Sequence, residues 1–298
     1  MSSEGGDVDF GWVCGENEYR QPRLQWYNVE KVTRDFVKAS KEEGIDAHNL
    51  VFIGGIATFL HAQNTVGDRV VNRWRGTRDI DVVVLEGGGA GKIGSRLNKE
   101  ADYESVSSIN SHFKDKKTIQ IVTHPKGVLP RSERDINIDL YSPDDNSRTL
   151  RLNNRILKAY PEPFIKQPIE TLDIKGSKVS LPSILDCLIM KFDVTTVSDH
   201  LRKKDKNDIL TLFMVAENTK KGLENSEILE NPKLLLGKLI ESYDNNRDRN
   251  KVIGELSGIF NGLAECQRKG KIPLDMKIFL PSENYQRVCR ETLKTYQR

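Results

Sequence analysis

One segment, Arg75-Gly-Thr77-Arg-Asp79-Ile-Asp81-Val-Val-Val84, constrains this chain more than any other. Its apolar residues are all β-branched, and polar and apolar positions alternate from Asp79 to Val82, the pattern of a strand with one face buried. Side chains at i and i+2 on a strand share a face. Ile80, Val82 and Val84 therefore point into a core, while Asp79 and Asp81 point the other way, side by side. Two like charges held that close repel unless something neutralises them.

A lone Asp-x-Asp reads as a solvated strand edge. Three further features argue for more. A second strand-like run, Asp135-Ile-Asn-Ile138-Asp139-Leu-Tyr141, puts Asn137, Asp139 and Tyr141 on one face; pairing beside the first strand adds Asp139 to the polar cluster, with Asp135 as the competing third acid. Val51-Phe-Ile-Gly54-Gly55-Ile-Ala-Thr58 reads as a buried strand, a glycine turn and the start of a helix, where backbone N–H groups can approach an anion closely. Arg73, Arg75 and Arg78 stand ready to offset the acids or to hold a triphosphate. Clustered carboxylates of this kind are neutralised by a hard divalent cation, Mg²⁺ or Mn²⁺, which also takes nucleotide phosphates as ligands.

At these residues the chain resembles the polymerase-β-type nucleotidyltransferase superfamily, and within it the AbiEii-like branch that includes toxins of toxin–antitoxin systems. The likeness continues through Thr171-Leu-Asp-Ile174-Lys-Gly-Ser-Lys-Val179-Ser-Leu-Pro182, read as a hairpin about Gly176-Ser177 and then a helix carrying Lys191. A second helix follows with Arg202-Lys-Lys204-Asp205-Lys-Asn-Asp208-Ile-Leu210. The matching stretch runs from about residue 50 to about residue 215.

The resemblance implies roles. Gly54, Gly55, Arg75 and Thr77 would contact the nucleotide, Asp79 and Asp81 would ligate the metal, and Asp139 would be the third acid, helping to activate the attacking hydroxyl. Lys191 would pair with phosphate. Asp205 and Asp208 would close the site from the helical side. The reaction implied is transfer of a nucleoside monophosphate from an NTP to an acceptor hydroxyl of RNA, a tRNA 3′ end among the candidates, or of a protein. A cognate antitoxin is expected if the chain is a toxin. A small-molecule transferase of the antibiotic-modifying type, and a catalytically inactive module that binds nucleotide or RNA, are the alternatives. One departure from the family pattern is that Ile56 and Ala57 separate the glycines from Thr58.

Composition agrees with a globular chain: 298 residues, 30% charged and 7% aromatic, with a net charge of +3 that neither demands nor excludes nucleic acid. Basic clusters occur at Lys114–Lys117, Arg202–Lys204 and Lys220-Lys221. Cys14, Cys187, Cys266 and Cys289 lack metal-site spacing and read as reduced thiols of a cytoplasmic protein. The five histidines show no metal-like spacing either; His61 reads as core or surface. No apolar run is long enough to cross a membrane. Glu86-Gly-Gly-Gly-Ala-Gly91-Lys92-Ile93 fails as a P-loop, because Glu86 takes the place of the first glycine and Ile93 that of the Mg²⁺-binding hydroxyl.

The periodicity predicts a helix from Tyr27 to about Glu43, ending at Gly44, with Phe10, Trp12 and Trp26 docking an N-terminal extension. Beyond Pro182 apolar residues recur at three-to-four spacing, with polar breaks near 218–225 and 244–250. The expectation is an α/β (α+β) nucleotidyltransferase fold with a mixed sheet, followed by a C-terminal helical domain. Its boundaries are 1–48 for an N-terminal extension and helix, 49–181 for the core and 182–298 for the helical domain, with the active site in the cleft between the last two.

Overall fold

The first half of the chain builds a sheet from strands whose inner residues alternate. The structure, a computed structural model, describes residues 22–46, 49–67, 69, 77, 79–84, 90–99, 103–110, 118–126, 135–141, 150–152, 155–157, 170–174, 177–197, 201–219 and 226–297. Arg73, Arg75, Arg78, Phe10, Trp12, Cys14, His48, Gly176, Lys220 and Lys221 lie outside the described residues, as do Lys114–Lys117 and the side chains of Trp26 and Lys92. The chain divides into two compact units, with the boundary between Asp193 and Val194.

In the first unit, helix α1 (Pro22–Glu42) is followed by β1 (Leu50–Ile53), α2 (Gly54–Val66), β2 (Asp79–Val84) and α3 (Ala90–Leu97). Strands β3 (Tyr103–Asn110), β4 (Thr118–Pro125), β5 (Ile136–Tyr141), β6 (Leu150–Leu152), β7 (Arg155–Leu157), β8 (Glu170–Ile174) and β9 (Ser177–Leu181) follow, then α4 (Ile184–Val197). Seven strands form one sheet in the order β3-β4-β5-β2-β1-β9-β8, and β6 pairs with β7 apart from it. The sheet is mixed: β2 runs parallel to β5 and β1 parallel to β9, while the remaining neighbours are antiparallel.

Register sorts the sheet's centre into two faces. Leu50 and Phe52 of β1, Ile80, Val82 and Val84 of β2, and Ile136, Ile138 and Leu140 of β5 share one face and are buried. Helix α1 covers it through Val29, Val32, Phe36 and Val37, with Phe36 edge-on to Phe52 at 6.2 Å between ring centroids. Thr33 and Ser40, buried on the same helix, donate their hydroxyls to the carbonyls of Val29 (2.7 Å) and Phe36 (2.8 Å), so neither enters the core unsatisfied. The helix begins at Pro22, earlier than the periodicity predicts, because proline suits the first helical position. Lys31 ties α1 to β3: its ammonium sits 2.8 Å from Asp35 and 4.8 Å from the Tyr103 ring centroid, and the Tyr103 hydroxyl donates to the same Asp35 oxygen.

The β8–β9 hairpin and the helix after it stand where the sequence places them. Helix α3 starts at Ala90, inside the glycine-rich run.

The second unit is helical throughout its described residues: α5 (Lys203–Glu217), α6 (Ser226–Glu230), α7 (Pro232–Glu241), α8 (Asn246–Arg268), a 3₁₀ turn (Leu274–Phe279) and α9 (Glu283–Tyr296). Local chemistry sets the ends. Asn231 accepts from the backbone N–H groups of Lys233 (3.0 Å) and Leu234 (3.5 Å), with Pro232 at the first helical position. Asn245 accepts from Asp248 N at 2.8 Å, which starts α8 inside the polar stretch expected to be a break. Ser282 caps α9, and its own N–H donates to Glu217 at the end of α5 at 2.6 Å. Phe213 centres the core, edge-on to Phe260 at 5.1 Å and to Tyr285 at 6.4 Å. Cys187, Cys266 and Cys289 are buried, and no disulfide joins them. Among the described residues no helix is long and apolar enough to cross a membrane.

Candidate functional site

The second face of the central strands carries the acids. Asp79 and Asp81 are half-buried and alternate with fully buried Ile80 and Val82. In the parallel pairing of β2 with β5, Asp81 stands opposite Asp139 and Asp79 opposite Asn137. Paired residues on neighbouring strands point to the same side about 4.8 Å apart, so the fold sets Asp139 directly beside Asp81. Asn137 Nδ2 donates to Asp79 Oδ1 at 3.4 Å. Asp135 is held elsewhere: its Oδ1 lies 2.8 Å from His124 Nδ1 on β4. That approach is close without being a well-formed hydrogen bond, since neither atom meets a partner in bonding geometry. Four residues further on, Asp139 lies roughly 13 Å along the strand from Asp135, so the two compete for different places.

The glycine turn closes on this face from β1. Ile53 is registered opposite Asp81, and α2 begins at the very next residue. Gly54 has φ +69°, a left-handed conformation, and a Cβ there would sit 2.5 Å from Asp81 Oδ2. Only glycine meets both conditions. The Asp81 carboxylate therefore lies against the backbone at the start of α2, where the helix's partial positive charge favours it.

Thr77 is buried just ahead of β2, and its hydroxyl is engaged with the backbone of Asp79. It donates to Asp79 O at 3.0 Å and is 3.3 Å from Asp79 N, which donates back. This local loop fixes how the chain enters the strand. Arg75 is outside the described residues, and Gly55 opens α2 next to Gly54.

Lys191 is buried on α4, two turns in from a cap made by Ser183 and Asp186. Asp186 N donates to Ser183 Oγ at 3.1 Å, and that hydroxyl donates to Asp186 Oδ2 at 2.7 Å. Burial raises the Asp186 pKa above the ordinary carboxylate value, against the two Ser183 hydrogen bonds that lower it. His61, on α2, is buried, and its Nε2 lies 2.9 Å from the Pro182 carbonyl at the foot of α4. A carbonyl only accepts, so Nε2 carries the proton. These two local anchors fix α2 and α4 within the same unit.

Asp205 and Asp208 are both buried in the first turns of α5. Arg202 grips Asp205 with a forked pair of bonds, Nε to Oδ2 at 2.6 Å and Nη2 to Oδ1 at 3.2 Å. Part of the basic cluster at 202–204 is thus engaged at the head of its own helix.

The register brings Asp79, Asp81 and Asp139 to one face with Gly54. Among the described residues, no three His, Cys, Asp or Glu side chains are grouped closely enough to hold a metal ion by themselves. The donor chemistry nevertheless fits a hard cation: Mg²⁺ is commonly held by one or two carboxylates, with phosphate oxygens and water completing the shell. The sequence pattern missed Asn137 as the partner of Asp79. Strand parity puts Asn137 on the correct face, but only the β2–β5 register reveals what it faces.

No protein-family model matches the chain. No curated protein matches it at a significant level. It is similar to the crystal structure of a proposed nucleotidyltransferase from H. pylori, at 12% identity and a TM-score of 0.39, over 90% of this chain and 93% of that one. It is also similar to the crystal structure of JHP933 from Helicobacter pylori, at 15% identity and a TM-score of 0.43, over 92% of this chain and 95% of that one.

Proposed function

We propose that the chain is a Mg²⁺- or Mn²⁺-dependent nucleotidyltransferase that moves a nucleoside monophosphate from an NTP to an acceptor hydroxyl. The observation that carries this reading is the registered pair Asp81–Asp139, with Gly54 packed against Asp81 Oδ2. Two half-buried carboxylates in register form a donor set suited to a hard cation. Like charges opposite one another weaken a pair of strands, and a cation with a polyphosphate removes that penalty.

In this reading Asp81 and Asp139 hold the metal, Asp79 assists, and Asn137 fixes the Asp79 carboxylate. The metal would neutralise charge on the transferring phosphoryl group. Gly54 and Gly55 present backbone N–H groups to the triphosphate, Lys191 pairs with phosphate, and Asp139 takes the proton of the attacking hydroxyl. Arg202 holds the Asp205 carboxylate at the start of α5. RNA is the acceptor proposed first, a tRNA 3′ end among its forms, with a protein hydroxyl next. A toxin role with a cognate antitoxin follows from the family resemblance of the motifs.

The test incubates each labelled NTP with Mg²⁺ and total RNA, protein or small-molecule acceptors. Label transfer that disappears in Asp81→Ala and Asp139→Ala supports the proposal, and the labelled acceptor identifies the class, antibiotic-type substrates included. Nucleotide binding without transfer to any acceptor would sink it in favour of an inactive binding module.

A further inference from the structure

The helical unit carries a solvent-open pocket of about 590 Å³ between residues of α8 and α9. Gln267 and Arg268 line it from the last turns of α8, and Glu283, Asn284, Arg287 and Arg290 line it from the first turns of α9. Three guanidinium groups therefore meet around one space with a single acid, Glu283, among the lining residues. Arg268 is oriented by Glu265, Nε to Oε2 at 3.0 Å and Nη2 to Oε1 at 2.6 Å. Arg287 donates to Asn284 Oδ1 at 2.8 Å and reaches Glu291 only at 3.4 Å. Arg290 differs from both. Its Nη1 is shielded from solvent and meets no acceptor among the described residues.

A buried guanidinium N–H without an acceptor is costly, and such a group calls for an explanation. An anion in the pocket supplies one once the Arg290 side chain turns toward it. We propose that this pocket is an oxyanion site that takes a phosphate group, held by Arg268, Arg287 and Arg290.

Phosphate fits better than carboxylate on donor count. Three guanidinium groups and the amides of Gln267 and Asn284 offer more donors than two carboxylate oxygens accept, whereas a phosphate group spreads its charge over more oxygens. The proposal does not depend on nucleotidyl transfer: it concerns a different unit and needs no metal.

The experiment uses the full chain in EDTA, which removes metal-dependent phosphate binding at the acid face. Inorganic phosphate, pyrophosphate and a labelled single-stranded RNA are titrated against wild type, Arg287→Gln/Arg290→Gln and Glu283→Gln. The double variant is expected to bind at least tenfold more weakly. For RNA, its log-log salt slope should be shallower by roughly 0.7 for each phosphate it no longer neutralises. Removing the lone lining acid in Glu283→Gln should tighten binding about twofold to fivefold. Should the double variant fail to fold, Glu283→Gln decides the matter alone. Binding of free phosphate identifies a small-anion site, and binding of RNA alone identifies a polynucleotide backbone. Both support the proposal if the variants respond as stated. Unchanged affinities, no binding at all, or equal displacement by citrate and poly-glutamate would overturn it. Asp81→Ala should bind these anions like wild type, which separates failure here from failure of the catalytic reading.

Discussion

Gly54 carries the tightest constraint on any single residue of the acid face. Its positive φ and the 2.5 Å approach of Asp81 Oδ2 to a hypothetical Cβ act together. Alanine would have to strain the backbone and push the carboxylate aside at once. We expect Gly54→Ala to destabilise the protein by about 1–3 kcal/mol in denaturant titration, and to lower NTP transfer further than the stability loss explains. Gly55, outside the left-handed region, should tolerate alanine far better; equal losses at both positions would contradict the geometry. A Gly-Gly pair before a helix was legible in the sequence, but which glycine touches Asp81 was not. That depends on Ile53 standing opposite Asp81, a pairing between strands. Asn137 was hidden for the same reason, while the alternation of Asp79 and Asp81 was visible because strand parity is purely local.

Elements whose limits are set by local chemistry were the easiest to read, and α4 shows both the success and its edge. Its apolar spacing and Pro182 announced a helix, but the cap lies one residue later, in the mutual bonds of Ser183 and Asp186. Ser183→Ala removes both bonds and should cost about 1 kcal/mol. It should also push the Asp186 pKa higher still, because the Ser183 hydroxyl's bond to the carboxylate is one of those that lower it. The pH dependence follows from the sign of that shift. A carboxyl whose folded pKa is raised binds its proton more tightly in the folded state, so its favourable contribution is complete below the usual carboxylate range. That contribution fades as pH rises through the raised folded value. Wild type should therefore lose stability relative to Asp186→Asn as pH climbs out of the acid range, measured by denaturation midpoints at successive pH values. Parallel pH profiles would refute the assignment. Helix α8 starts earlier than its sequence suggests, because Asn245 and its neighbours look like a polar break while Asn245 is the cap itself.

Across the whole molecule apolar period two gives way to period three-to-four near Pro182, but the compact units part later, between Asp193 and Val194, because most of α4 still belongs with the sheet. Strand order could not be read this way. Strand β9 pairs with β1 although well over a hundred residues separate them, and no local pattern encodes that choice. The acids make the whole fold carry a conditional penalty: β2 and β5 stay registered while Asp81 faces Asp139. A ligand that binds only the folded state stabilises it by RT ln(1 + [L]/Kd), about 1.4 kcal/mol at tenfold excess over Kd. Mg²⁺ should therefore raise the unfolding midpoint of wild type. Asp81→Asn should start at least as high without metal, since one of the opposed charges is gone, and gain little when Mg²⁺ is added. Phe213→Ala makes the complementary control. Removing that ring from its packing on Phe260 and Tyr285 should lower stability by about 3–5 kcal/mol, yet leave the Mg²⁺ increment in place. If Mg²⁺ stabilises Asp81→Asn as much as wild type, the cation binds elsewhere, and the acid face has some other reason to keep its charges together.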